Sequence, residues 1–235
     1  MSSKKKQAEL REEKDWEKID HAVVKSENFL EKYSKQILII IAAFVAIACI
    51  YLAYKQFYLE PKTEEAQKAM YKGESLFRNG EDSLALYGNG NDFIGFEAIA
   101  DQYGSTDAGK LAKAYAGLCY AQLGKYEKAL DYLKGYSAND KLFTHLVNGA
   151  IGDCLVNTGK AQEAVSYFEK GAKGADNVIH SPILYKKAGL IYRDLGNYDK
   201  VIEVFTIIQN KYANSPLTPE AKKYIEEAQI LKAAK

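Results

Sequence analysis

Cysteine, histidine and proline are all scarce in this chain. Three cysteines (Cys49, Cys119, Cys154) in 235 residues cannot staple a disulfide scaffold. Three scattered histidines (His21, His145, His180), with no Cys-x-x-Cys and no His-Glu-x-x-His, give no reason to expect a metal site. Four prolines and 17 glycines exclude collagen-like and proline-rich chains. Excess charge of one sign is missing too. Lys and Arg total 32 against 31 Asp and Glu, so no field is available to hold nucleic acid. There is no phosphate loop and no nucleophile elbow. Gly88-Asn89-Gly90-Asn91 has no apolar strand ahead of it, so a nucleotide loop is not expected there. These absences predict a chain that is not an enzyme, with no catalytic residue, cofactor or small-molecule substrate.

What is present begins with residues 37–53, ILIIIAAFVAIACIYLA, an apolar run of seventeen residues. As a helix it spans about 26 Å, close to the roughly 30 Å hydrocarbon core of a bilayer. Lys32 and Lys35 stand at one end; Tyr51, Tyr54, Lys55, Phe57 and Tyr58 form an aromatic and basic belt at the other. Pro61 is expected to stop the helix. The small residues Ala46 and Ala48 before Cys49 suggest a cleavage site, but the apolar run continues past it. The charged segment ahead is also longer than a signal-peptide n-region, so an uncleaved transmembrane signal anchor over 37–58 is predicted. Lysines near the two ends balance, and the basic N-terminal tail then favours a cytoplasmic N-terminus with the rest translocated.

Residues 1–36 carry nine bases and eight acids. Trp16, Ile19, Val23, Leu30, Tyr33 and Ile37 recur at helical steps, which predicts a charged amphipathic cytoplasmic helix with a narrow apolar stripe. Whether it docks a protein, lies on the membrane or simply leads into the span stays open.

After Pro61 the chain repeats itself. AYAGLCYAQLGKYEKALDYL (114–133), GAIGDCLVNTGKAQEAVSYF (149–168) and KKAGLIYRDLGNYDKVIEVF (186–205) align. Gly124, Gly159 and Gly196 end the first helices, where a left-handed backbone suits glycine. Gly117, Gly152 and Gly189 keep the same spacings inside those helices. A glycine there costs about 1 kcal/mol relative to alanine, so three in register imply close helix packing. Ala129 and Ala164 face them, and Tyr120, Leu155 and Tyr192 fill the next turn. Cys119 and Cys154 hold equivalent positions, about 10 Å apart in stacked helices, and are expected as buried thiols.

This pattern resembles the tetratricopeptide repeat, though the usual tryptophan is missing and Tyr185 fills its slot once. Upstream, residues 63–80 and 92–103 are predicted as a further helix pair joined by a long loop, EDSLALYGNGN. Downstream, 217–235 reads as a capping helix with Pro219 in its first turn. The predicted architecture is all-α: an N-terminal helix and single transmembrane helix, then a tetratricopeptide α-solenoid over 62–235 of four helix pairs and a cap. The resemblance implies protein partners on the concave face of the first helices. By register that face carries Leu118, Gln122, Asp153, Asn157, Leu190, Arg193 and Asp194. A chaperone-tail clamp would need Lys and Asn where Ala114, Gly149, Leu118 and Leu190 stand.

The whole layout is similar to the YfgM-like family of bacterial inner-membrane proteins, ancillary subunits of the Sec translocon. That resemblance implies an inner-membrane adaptor whose periplasmic domain links secreted chains to chaperones. Its partners would be translocon subunits, periplasmic chaperones or secreted chains, with the bilayer contacted through one span. An envelope-assembly or cell-division scaffold, or a regulatory membrane protein whose tail is the active end, remain alternatives.

Overall fold

The computed structural model describes residues 33–90, 92–137 and 140–234, whose regular elements are helices, with no strand among them. The chain divides into two compact units, Met1–Tyr58 and Leu59–Lys235. In the first, residues 33–54 form helix α1. From Leu38 onward its large apolar side chains, among them Ile41, Phe44, Ile47 and Ile50, are exposed. Among the described residues no other helix covers this apolar surface, as suits a helix that lies in hydrocarbon. It is long and apolar enough to cross a membrane. Tyr54 and Tyr58 stack at its end, ring centroids 5.2 Å apart. Residues 1–32 of the amphipathic helix expected ahead of it lie outside the described residues.

Pro61 does not stop a helix. It occupies the first turn of α2 (Glu60–Arg78), directly after a π-helical stretch, Lys55–Leu59. A proline inside regular α-helix would remove one hydrogen bond and collide with the carbonyl four residues back. The wider π turn moves that carbonyl out of line and lets helical geometry resume. The Thr63 hydroxyl donates to the Leu59 carbonyl at 2.7 Å, serving one acceptor locally.

The second unit continues with α3 (Asp82–Tyr87), α4 (Gly95–Gln102), α5 (Asp107–Gln122) and α6 (Tyr126–Lys134). Then follow α7 (Lys141–Asn157), α8 (Ala161–Ala175), α9 (His180–Asp194), α10 (Tyr198–Lys211) and α11 (Thr218–Ala233). The short helix α3 corrects the expected loop: Ala85 and Leu86 are fully buried, and α3 packs against α2, α4 and α5. Gly88 and Gly90 then turn the chain with positive φ. The Asn89 carboxamide accepts from the backbone N–H groups of Asp92 and Phe93, an Asx-type turn.

From α5 onward each helix packs on the next, giving the antiparallel stack that a solenoid requires. Gly124, Gly159 and Gly196 all have positive φ, 68 to 77°. A Cβ on Gly117 would meet Leu133; on Gly152, Phe168; on Gly189, Phe205. The second helix of each pair therefore lies against bare backbone. Successive pairs are tied by a repeated bond. Tyr120 on α5 donates to Glu97 on α4 at 2.7 Å, and Tyr192 on α9 donates to Glu169 on α8 at 2.9 Å, each pair 23 residues apart. Tyr132 also donates to Glu97, at 2.8 Å. One continuous core runs from Ala66 on α2 to Ala228 on α11. Helix α11 closes its end with Tyr224 stacked on Phe205 at 4.7 Å and Glu220 paired with Lys186 at 2.7 Å.

Candidate functional site

Helices α5, α7 and α9 are the first helices of their pairs, and one side of each is free of a second helix. Side chains three and four residues apart share a helix face. Leu118 on α5, Leu146, Gly149, Ala150 and Asp153 on α7, and Ile183 and Lys187 on α9 therefore converge. They line a cavity of about 310 Å³, together with His145, His180 and Leu184. Its floor is open because Gly149 has no side chain; a Cβ there would stand 3.0 Å from Leu184 Cδ2. Leu146 and Ile183 remain 42% and 44% exposed, apolar surface at the mouth that no described residue covers. Unpartnered apolar surface beside polar groups is the usual mark of a recognition site.

The polar groups differ in how well they are met. The Lys187 ammonium donates to both oxygens of Asp153, at 2.6 and 2.7 Å, and also stands 5.5 Å from the Phe168 ring. This ion pair bridges α7 to α9 and is satisfied from within. His145 is buried at 6% exposure, and neither ring nitrogen has a hydrogen-bond partner. The His180 ring lies 5.2 Å away, tilted. Thiol chemistry is not available in the core. Burial pushes Cys154 up to about 11 and Cys119 up to about 12, so both are protonated thiols at neutral pH.

Of the groove residues expected from the sequence, the cavity brings together Leu118 and Asp153. Asn157 is exposed one turn beyond, its carboxamide donating to the Asp153 carbonyl at 2.9 Å. Gln122 is exposed at the last residue of α5, and Leu190 is half-buried on α9. Arg193 lies over the Tyr224 ring of α11 at 5.5 Å and contacts exposed Asp194 at 3.4 Å, so it is engaged toward the capping helix. The concavity thus sits about one turn nearer the helix starts than the repeat alignment placed it. Its missed residues, His145, Leu146, Ile183 and Lys187, precede or only begin the aligned segments. A signal existed: His145, Gly149 and Asp153 recur at four-residue steps on α7.

A second concavity, of about 600 Å³, opens where α5 meets α2. Tyr71 and Glu74 from α2, Asp107, Lys110 and Leu111 from α5, and Asp140 line it. Among the described residues no group of three or more His, Cys, Asp or Glu could hold a metal ion.

A family model for the tetratricopeptide repeat matches residues 147–173, the body of α7 and nearly all of α8. No curated protein matches the chain. A tetratricopeptide repeat on an all-helical stack supports a protein-binding adaptor, an architecture typical of interaction scaffolds rather than enzymes.

Proposed function

We propose that this chain is a membrane-tethered adaptor. In this reading α1 holds it in the bacterial inner membrane, and the α5–α7–α9 face binds protein partners on the periplasmic side. The partners that fit the YfgM-like layout are translocon subunits, secreted chains as they emerge, and the periplasmic chaperones that take them over. One observation supports this reading above the rest. Apolar surface is exposed all round α1 and also at the mouth of a repeat-domain cavity, and the two call for different covers. The first suits lipid and the second suits a protein segment.

The test is affinity purification from detergent-solubilised membranes, comparing the native chain with an Ile183→Asp variant. The proposal expects a translocon subunit or a periplasmic folding factor to co-purify with the native chain and to be depleted with the variant. Recovery of cell-division or cell-wall enzymes in their place would overturn it in favour of an envelope-assembly scaffold.

A further inference from the structure

The cavity between α5, α7 and α9 holds an unmet chemical need. A neutral imidazole presents one donor and one acceptor. In His145 both are buried without a partner, a costly state that calls for a group able to join the site. Among the described residues the ring over it is that of His180, which is exposed at the first residue of α9 and can swing aside. Around this imidazole the walls are apolar, from Leu118, Leu146, Ala150, Ile183 and Leu184. The one charged pair at the rim, Asp153 and Lys187, is already self-satisfied.

An occupant of this space needs an apolar body with a single polar tip. Leucine or phenylalanine would fill the box and leave the imidazole dry, while an ionised side chain would lose its hydration to apolar walls. Tyrosine and tryptophan meet both conditions, and about 310 Å³ accommodates either. The neighbouring concavity adds a charge condition. Leu111 lines it seven residues before Leu118 on α5, which sets the two about 10 Å apart along the helix. That distance is about three residues of extended chain. Asp107 and Lys110 in its lining pair with each other at 3.0 Å, and the carboxylates of Glu74 and Asp140 leave the concavity net acidic, which suits a cationic side chain.

We propose that the α5–α7–α9 cavity takes the tyrosine or tryptophan side chain of an extended partner segment, hydrogen-bonded to His145, with a lysine or arginine about three residues away over the acidic concavity. This rests on reading that face as the partner groove, and it specifies the chemistry of the partner.

The experiment uses the full chain in lipid nanodiscs with its histidines isotope-labelled. Only three histidines exist, so their ring C–H resonances report the site individually. The probes are eight-residue Ser/Gly peptides carrying one tyrosine and one lysine three residues apart, in both orders, and the same peptides with phenylalanine for tyrosine. The proposal expects saturable shifts of His145 and His180 but not of His21. The phenylalanine peptide should bind about fivefold more weakly, the worth of one neutral hydrogen bond. His145→Phe, followed through His180, should bind both peptides equally. Ile183→Asp, at an exposed position, should block binding while the thermal midpoint stays unchanged. Equal affinity of the two peptides for the native chain, or no saturable shift in either order, overturns the proposal. If partners still co-purify with a chain that shows no tyrosine preference, the anchor fails and the adaptor reading stands. A tyrosine preference in a chain that recovers no translocon or folding partner supports the anchor and removes the translocon reading.

Discussion

Glycines in this protein serve two unrelated needs, and substitution separates them. A Cβ on Gly152 would meet the Phe168 ring at 2.5 Å, and one on Gly189 the Phe205 ring at 2.5 Å. Overpacking of that kind costs about 1–3 kcal/mol, against about 1 kcal/mol recovered in helix propensity. Gly124 has open space but φ +71°, a conformation asparagine tolerates. Urea denaturation of Gly152→Ala should therefore show a clear loss of stability, and Gly124→Asn a change below about 1 kcal/mol. Both roles were legible in the sequence because each is a backbone constraint that few residue types meet, and glycine recurs there in register. Partners chosen by side-chain geometry were not legible. Nothing in the sequence marks Glu97 as the acceptor for Tyr120 and Tyr132. Those phenols and Tyr192 are held above their ordinary value of 10.0, first by burial and then by bonding to a glutamate. Tyr192 rises to about 12. The sign follows directly. Phenols that lose protons later in the folded state than in the unfolded state stabilise the fold below pH 10, and that contribution drains away as pH rises through the folded values. Stability followed by circular dichroism should be insensitive to tyrosine ionisation up to about pH 9 and fall beyond about pH 10. Glu97→Gln should soften that fall without abolishing it, since burial is the larger cause.

At the scale of elements, legibility followed length and periodicity. The long first helices and the capping helix carry enough turns to show a 3.6-residue pattern, so α5, α7, α9 and α11 stood out. Helix α3 did not: six residues span less than two turns, and its flanking Gly and Asn residues read as loop. Its membership in the core depends on Ala85 and Leu86 meeting α2, α4 and α5, a tertiary fact with no local trace. Pro61 misled for a related reason. Proline ends a regular helix by local rules, and those rules do not foresee a π turn absorbing the misfit. The cavity lies about one turn before the register of the motif glycines, because His145 and Leu146, which line it, precede them. Helix α11 offers the element-scale prediction. Removing 218–235 uncovers Phe205, whose ring stacks on Tyr224, and exposes the core side otherwise covered by Ala221, Ile225 and Ala228. The truncated chain should melt at a lower temperature than the full chain. An unchanged midpoint would show that α11 is not a cap.

At the scale of the whole molecule, two exposed apolar surfaces bear on function. Helix α1 is a candidate membrane span, with no cover over its apolar run among the described residues. The full chain should sediment with membranes and resist extraction at high pH. Replacing Ile40, Phe44 and Ile47 with lysine, at about 2.5–3.5 kcal/mol each near a helix centre, should release it. The second surface is the mouth of the cavity. The central claim, an adaptor that grips protein partners there, is tested most directly by a photo-activated crosslinking residue placed at exposed Ile183, and at exposed Ser166 on α8 as the control. The account predicts adducts in intact cells from Ile183 to a translocon subunit, a secreted chain or a periplasmic chaperone, with none from Ser166. Equal labelling from both positions, or no protein adduct from Ile183, would contradict it.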